Sequence, residues 1–191
     1  MEDKIVFATG NEGKMREIRS ILSDLGLPVL SMKEAGVSLE IEENGTTFGE
    51  NAEIKARAVW EQTGGIVLAD DSGLVVDYLG EDTSYEVKNR TIIDRLKEAR
   101  EEERSARFVC NIAAVLPDGS VLHTEETMEG RIAREAAGSG GFGYDPILWL
   151  PEFGKTSAEI TMDEKNRISH RGKALEAMKR KLEEIYKGDV R

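Results

Sequence analysis

A single cysteine in 191 residues, Cys110, excludes any disulfide within the chain. It lies in the apolar run Phe108-Val109-Cys110-Asn111-Ile112 and reads as a buried packing thiol. Long hydrophobic runs are missing too. No stretch approaches the roughly 20 apolar residues that a bilayer-spanning helix needs, so no membrane partner is expected. The first residues lack the basic-then-apolar pattern of a secretory signal, which makes the cytoplasm the expected location. Positive charge is in deficit, with 26 Lys and Arg against 37 Asp and Glu and a formal net charge of -11. An acidic surface argues against a nucleic acid polymer as partner, because that binding is driven by phosphate neutralisation. It does not exclude a small anion, whose contacts are decided by local cations or a metal.

What is present suits a globular protein: 39% hydrophobic and 33% charged residues, with no repeat or obvious linker. The length fits one large domain or two small lobes. Val6-Phe7-Ala8-Thr9 reads as a buried strand and Gly10 to Lys14 as a turn. Met15, Ile18, Ile21, Leu22 and Leu25 then fall on one helical face, stopped by Gly26 and Pro28. Val29-Leu30 starts a short strand. A second helix is expected from Thr47, which stands in capping-box spacing with Glu50, to Gly64-Gly65. Ile66 to Ala69 reads as a fully buried strand with Asp70 at its end, and Leu74-Val75-Val76 as a resumed extended path. A charged helix is expected over 85–103, then a hairpin turning at Pro117-Asp118-Gly119, a strand over 146–150 and a last helix over 171–187. This order predicts a mixed α/β fold: a long twisted sheet with helices on its faces.

Four segments are polar where folding does not require it. Thr9-Gly10-Asn11-Glu12-Gly13-Lys14 joins a strand to a helix, whose N-terminal N–H groups and dipole suit an anion. It is not G-x-x-x-x-G-K-[ST], since the glycines are too close and Met15 follows the lysine. Asn11 as a simple N-cap is the plain alternative. Asp70-Asp71-Ser72-Gly73 places two adjacent carboxylates after an apolar strand, which is unfavourable unless a cation joins them; Mg²⁺ suits such oxygens, and an exposed turn is the alternative. In the third segment Asn51 and Lys55 share a helix face, and Glu43 could add a carboxylate to a metal or simply sit in a solvated loop. The fourth pairs Gly141-Phe142-Gly143-Tyr144-Asp145-Pro146 with Ser169-His170-Arg171. Glycines leave Phe142 able to stack on a base, Asp145 can accept from a base N–H, and His170 and Arg171 offer donors. Core packing of Phe142 and Tyr144, and a cap with a surface arginine, are the alternatives.

Together these stretches resemble the inosine/xanthosine triphosphate pyrophosphatase family, which removes non-standard purine nucleotides. Thr9-Gly10-Asn11 with Lys14, Glu50-Asn51-Ala52 with Lys55, Asp70 to Gly73, Gly141 to Pro146 and Ser169 to Arg171 match in the family's order and span nearly the whole chain. The resemblance implies a single domain over 1–191, with a long mixed sheet and two lobes around a central cleft. It implies hydrolysis of ITP, dITP or XTP to the monophosphate and pyrophosphate, with Mg²⁺ and a homodimer. Thr9, Gly10, Asn11, Glu12, Gly13 and Lys14 would hold the triphosphate. Asp71 would be the general base and, with Glu43 and in some arrangements Asp70, a metal ligand. Asn51, Lys55, Ser72, Phe142, Gly143, Tyr144, Asp145, Lys165, His170 and Arg171 would complete the nucleotide site. A donor such as Arg171 aimed at position 6 of the purine would favour a 6-oxo over a 6-amino group.

One departure stands out. After Asp71-Ser72-Gly73 the family continues through a Pro-Gly-[Val/Ile]-Tyr-Ser-Ala-Arg-Tyr-like segment, whereas Asp77-Tyr78-Leu79-Gly80 passes directly to Glu81-Asp82-Thr83-Ser84. The segment is shorter by about a dozen residues, the size of a functional loop. The other readings are a related pyrophosphatase with another base preference and a nucleotide-binding homologue with impaired catalysis.

Overall fold

The structure is a computed structural model that describes residues 4–79 and 89–188. Gly80 to Ser84, where the family segment is shortened, and residues 85–88 lie outside the described residues. The strands are β1 (Ile5–Phe7), β2 (Val29–Ser31), β3 (Ile66–Val76), β4 (Ser105–Val115), β5 (Val121–Ile132), β6 (Leu148–Leu150) and β7 (Lys155–Thr156). The helices are α1 (Glu12–Leu22), α2 (Phe48–Thr63), α3 (Asn89–Arg95), α4 (Met162–Ile168) and α5 (His170–Gly188). One mixed sheet carries the order β2-β1-β3-β4-β5-β6-β7. β1 runs parallel to β2 and β3, while β6 runs antiparallel to β5 and β7.

The chain forms two compact units, the first from Met1–Asp71, Cys110–Glu126 and Arg171–Arg191, the second from Ser72–Val109 and Thr127–His170. In the first, Ile66 and Leu68 of β3 pack with Met15, Ile18 and Leu22 of α1 and Leu175 and Met178 of α5. Val67 and Ala69 pack instead with Ala52, Ala56 and Val59 of α2. Side chains alternate along a strand, so α1 and α5 cover one face of this part of the sheet and α2 the other. Cys110 is fully buried in the α1/α5 cluster. In the second unit Leu74, Ile92, Phe108, Met128, Ile147 and Leu150 belong to a separate core.

Several boundaries differ from the sequence expectation. α1 begins at Glu12 because Asn11 caps it, its Oδ1 accepting from the Lys14 N–H at 3.1 Å. Thr47 caps α2, but Glu50 accepts from Thr46 N and Oγ1 (2.6 and 2.7 Å), so the box is not closed on Thr47. β3 does not end at Asp70; it continues unbroken to Val76, because the Asp70 charge is neutralised within the fold. Of the helix expected over 85–103, the described part is α3 and a short 3₁₀ turn at Glu101–Arg104. Pro146 lies in another 3₁₀ turn, Asp145–Ile147, and the strand starts only at Leu148. The hairpin turns as expected, with Gly119 at φ 82 and Asp118 Oδ1 accepting from Ser120 N and Oγ at 2.9 and 2.6 Å.

Candidate active site

The alternation along β3 separates the two adjacent aspartates. Asp70 continues the Ile66, Leu68 face toward α1 and α5; Asp71 continues the Val67, Ala69 face toward α2. Their partners follow. Asp70, 2% exposed, accepts from Lys14 Nζ of α1 through both oxygens at 3.0 Å and from Arg171 Nε of α5 at 3.2 Å. Burial pushes its pKa up, but the Lys14 and Arg171 charges outweigh this and hold the carboxyl far below its ordinary range. Arg171, 4% exposed, also donates through Nη1 to Glu17 at 3.1 Å. Burial opposes its charge; Asp70, then Cys110 and Glu17, more than restore it and raise the guanidinium above its ordinary value. Lys14 and Glu17 are three apart on α1, so one helix face supplies both charges. Glu17 was not anticipated from the sequence, although its spacing from Lys14 was visible.

On the other face Lys55 of α2 bridges Glu43 (Oε2, 2.8 Å) and Asp71 (Oδ1, 3.2 Å). Burial lowers the Lys55 ammonium; the Glu43 hydrogen bond and the Asp71 charge reverse that and leave it raised. Both carboxylates therefore converge on the Lys55 ammonium. That is a donor set of hard oxygens, the chemistry that Mg²⁺ takes together with phosphates and water. Among the described residues no three His, Cys, Asp or Glu side chains gather as a ready metal cage. Asp70 is committed to Lys14 and Arg171. Asn51 is not drawn to the Lys55 cluster; its Oδ1 accepts from Gly45 N at 2.8 Å and ties down the loop that precedes α2.

At the start of α1, Thr9 Oγ1 accepts from Asn11 N at 3.2 Å. Gly10, Asn11 and Glu12 are exposed, Gly13 is half-buried, and the added Cβ of a residue at Gly10 would meet nothing. Ser72 is half-buried within β3.

In the second unit, Asp145 is 3% exposed. It accepts from Lys165 Nζ at 2.6 Å, Phe142 N at 2.8 Å and Ser157 Oγ at 2.8 Å. The carboxylate thus positions a lysine and a loop, and Lys165 lies 5.3 Å from the Phe142 ring centroid. Gly141 makes this possible: φ is +70, and a Cβ there would stand 2.0 Å from Asp145 Oδ2. Asn89 Nδ2 donates to Gly143 O at 3.0 Å. Tyr144 is buried in the core, and His170 stacks on Phe108 with centroids 4.9 Å apart. Lys165 is presented by α4, whose Thr161–Glu164 capping box is visible in the sequence but was not read as a helix start.

The first unit thus sets a helix-borne lysine beside one aspartate and paired carboxylates around a second lysine, and the second unit sets a third lysine over an aromatic ring. The Ham1 family model matches residues 5–181, and the chain belongs to that family. A dITP/XTP pyrophosphatase of Clostridium perfringens is 41% identical, covering 96% of this chain and 99% of its own. That of Escherichia coli O157:H7 is 44% identical over 92% and 95%. A solved HAM1 protein from Coxiella burnetii superposes with TM-score 0.83 at 39% identity, over 95% of this chain and 99% of that one. The match to the Clostridium protein runs over 202 aligned positions against 191 residues here, so the relative has positions that this chain lacks.

Proposed function

We propose that this chain hydrolyses non-standard purine nucleoside triphosphates, of the ITP, dITP and XTP type, to the monophosphate and pyrophosphate. The observation that carries the assignment of roles is the split of Asp70 and Asp71 onto opposite faces of β3. Asp71 is the general base: it accepts a proton from the water whose oxygen bonds to the α-phosphorus as the bond from that phosphorus to the bridging oxygen breaks. Glu43 and Asp71 would hold Mg²⁺, which when bound supplies positive charge to phosphate oxygens. Asp70 orients Lys14 and Arg171, which carry positive charge toward the anion site at the start of α1 together with Thr9 to Gly13. Lys55 tethers Glu43 and Asp71 between turnovers.

Phe142 stacks the base, and Lys165, held by Asp145 over the ring, is a donor for the 6-oxo group. ATP offers an amino group there, and a mismatched buried hydrogen bond discriminates by roughly 10⁴ or more. Gly143, Tyr144, Asn51, Ser72 and His170 shape or support the site. The whole chain acts as one functional domain in the cytoplasm, as a homodimer, without membrane or nucleic acid polymer. No described helix is long and apolar enough to cross a membrane.

Pyrophosphate release from ITP, XTP, ATP, GTP and a pyrimidine triphosphate with Mg²⁺ tests the reading. ITP and XTP turnover far above the rest is expected; equal turnover, or preference for the pyrimidine, refutes it. Gel filtration tests the dimer.

A further inference from the structure

The second unit contains a cavity of about 480 Å³, within the size range of small-molecule sites, and none of the residues assigned above lines it. Its floor is a cross-strand row: Arg131 of β5 is paired with Trp149 of β6, and Trp149 with Thr156 of β7, so the three side chains leave one face of the sheet. The chain at Ile132 to Ala137, with Glu101, closes the side.

Two features here have no folding explanation. Trp149 leaves 36% of its surface exposed. Arg131 is exposed and forms no ion pair among the described residues. Arg134 does have a partner, donating through Nε to Glu101 at 2.8 Å. Behind the wall, Arg104 is 1% exposed and donates to the carbonyls of Leu96, Ile132 and Ala133 at 2.5, 2.8 and 2.8 Å, with no carboxylate partner among the described residues. Arg131 and Arg134 line the cavity together with the carboxylates Glu101 and Glu135, and of the two arginines Arg131 has no ion pair among the described residues. In a chain of net charge -11 an exposed arginine with no ion pair at a cavity wall runs against the general trend and is a charge open to an anion.

We propose that this cavity binds a planar aromatic ring carrying an anionic group, specifically a nucleoside monophosphate. The ring lies on the Trp149 indole, and the anionic group meets Arg131 and Arg134. The choice of a nucleoside monophosphate within that chemistry rests on the proposed reaction, whose product it is.

The chain has two tryptophans, so Trp60→Phe leaves Trp149 as the sole indole reporter in the full chain. Inosine monophosphate titrated into this variant should quench its fluorescence saturably. Adding Arg131→Ala should weaken the apparent affinity roughly tenfold, as expected for one lost charge-assisted contact, with ITP turnover unchanged. Asp71→Asn should lower turnover by roughly 10²–10⁴ and leave the quench intact. Absence of a quench, a quench indifferent to Arg131→Ala, or one lost with Asp71→Asn overturns the proposal. A quench in a chain that fails to turn over ITP supports the cavity site and refutes the proposed function instead. Should Trp60→Phe fail to fold, calorimetric titration of the unaltered chain against Arg131→Ala reads the same tenfold difference.

Discussion

Asp70→Asn removes one negative charge and almost no volume. Asp70 is 2% exposed and stands between Lys14 and Arg171, the latter 4% exposed. In the variant Arg171 keeps its contact with Glu17 but loses the Asp70 charge, and the amide's N–H groups face cations. Removing one partner of a buried ion pair destabilises by about 3–5 kcal/mol, because the remaining charge stays buried without compensation. At this chain length each kcal/mol moves the midpoint by about 2–4 °C, so a fall of roughly 6–20 °C is expected. The pH dependence gives a second, independent readout. The folded-state pKa of Asp70 is depressed, since Lys14 and Arg171 outweigh the opposing effect of burial. A depressed carboxylate contributes its full stabilisation above its unfolded value of about 3.9 and loses it as the pH falls from there through the folded value. The gap between parent and variant should therefore be flat from neutral pH to about pH 5 and shrink only in acid. Urea unfolding at a series of pH values measures it. A gap below about 1 kcal/mol at pH 7, the size of an exposed pair, or one that stays constant into strong acid, refutes the reasoning.

Asp71→Asn should lower kcat by roughly 10²–10⁴ while the midpoint moves far less than in Asp70→Asn, because its only cation in the described structure is the shared Lys55; steady-state pyrophosphate release and thermal melts read the two effects. Gly141→Ala forces a Cβ to 2.0 Å from Asp145 Oδ2 and 2.9 Å from Lys165 Nζ at a positive φ, so a loss of about 1–3 kcal/mol and a raised KM for ITP are expected; parent-like values of both would contradict the Lys165 assignment. Glu17→Gln leaves Arg171 with Asp70 but weakens a charge-assisted contact, for a loss of about 1–2 kcal/mol by urea unfolding, smaller than that of Asp70→Asn.

Local features were readable in the sequence wherever local physics decides them. The α1 stripe, the Gly64-Gly65 stop of α2 and the Pro117-Asp118-Gly119 turn all appear in the structure. The polar stretches marked the residues of the candidate site, and their order pointed to the family. The pairings were not readable, because the chain brings them from afar. Asp70 takes Lys14 from 56 positions away and Arg171 from 101; Asp145 takes Lys165 from 20. A run such as Ile66 to Val76 interrupted by two aspartates looks like a strand ending in a loop, since nothing local reveals the cations that allow it to continue. α4 was overlooked because seven residues are too few for helical periodicity to stand out, and only its capping box marked it.

The parity of β3 then explains why two carboxylates can be adjacent without competing. Had both turned to one side, Lys14, Arg171 and Lys55 would crowd a single point, and either aspartate could take any of them. Alternation instead gives each its own helix. The buried Asp70 fixes α1 and α5 through the charges proposed for the phosphates, and the half-buried Asp71 meets α2 and Glu43, where water and a metal can reach. A one-residue slip of β3 would exchange these environments and send Asp71 to Lys14 and Arg171. The continuous apolar block Ile66 to Ala69, buried on both faces, locks that register, so the separation of stabilising and reacting carboxylate is built into the strand that carries them.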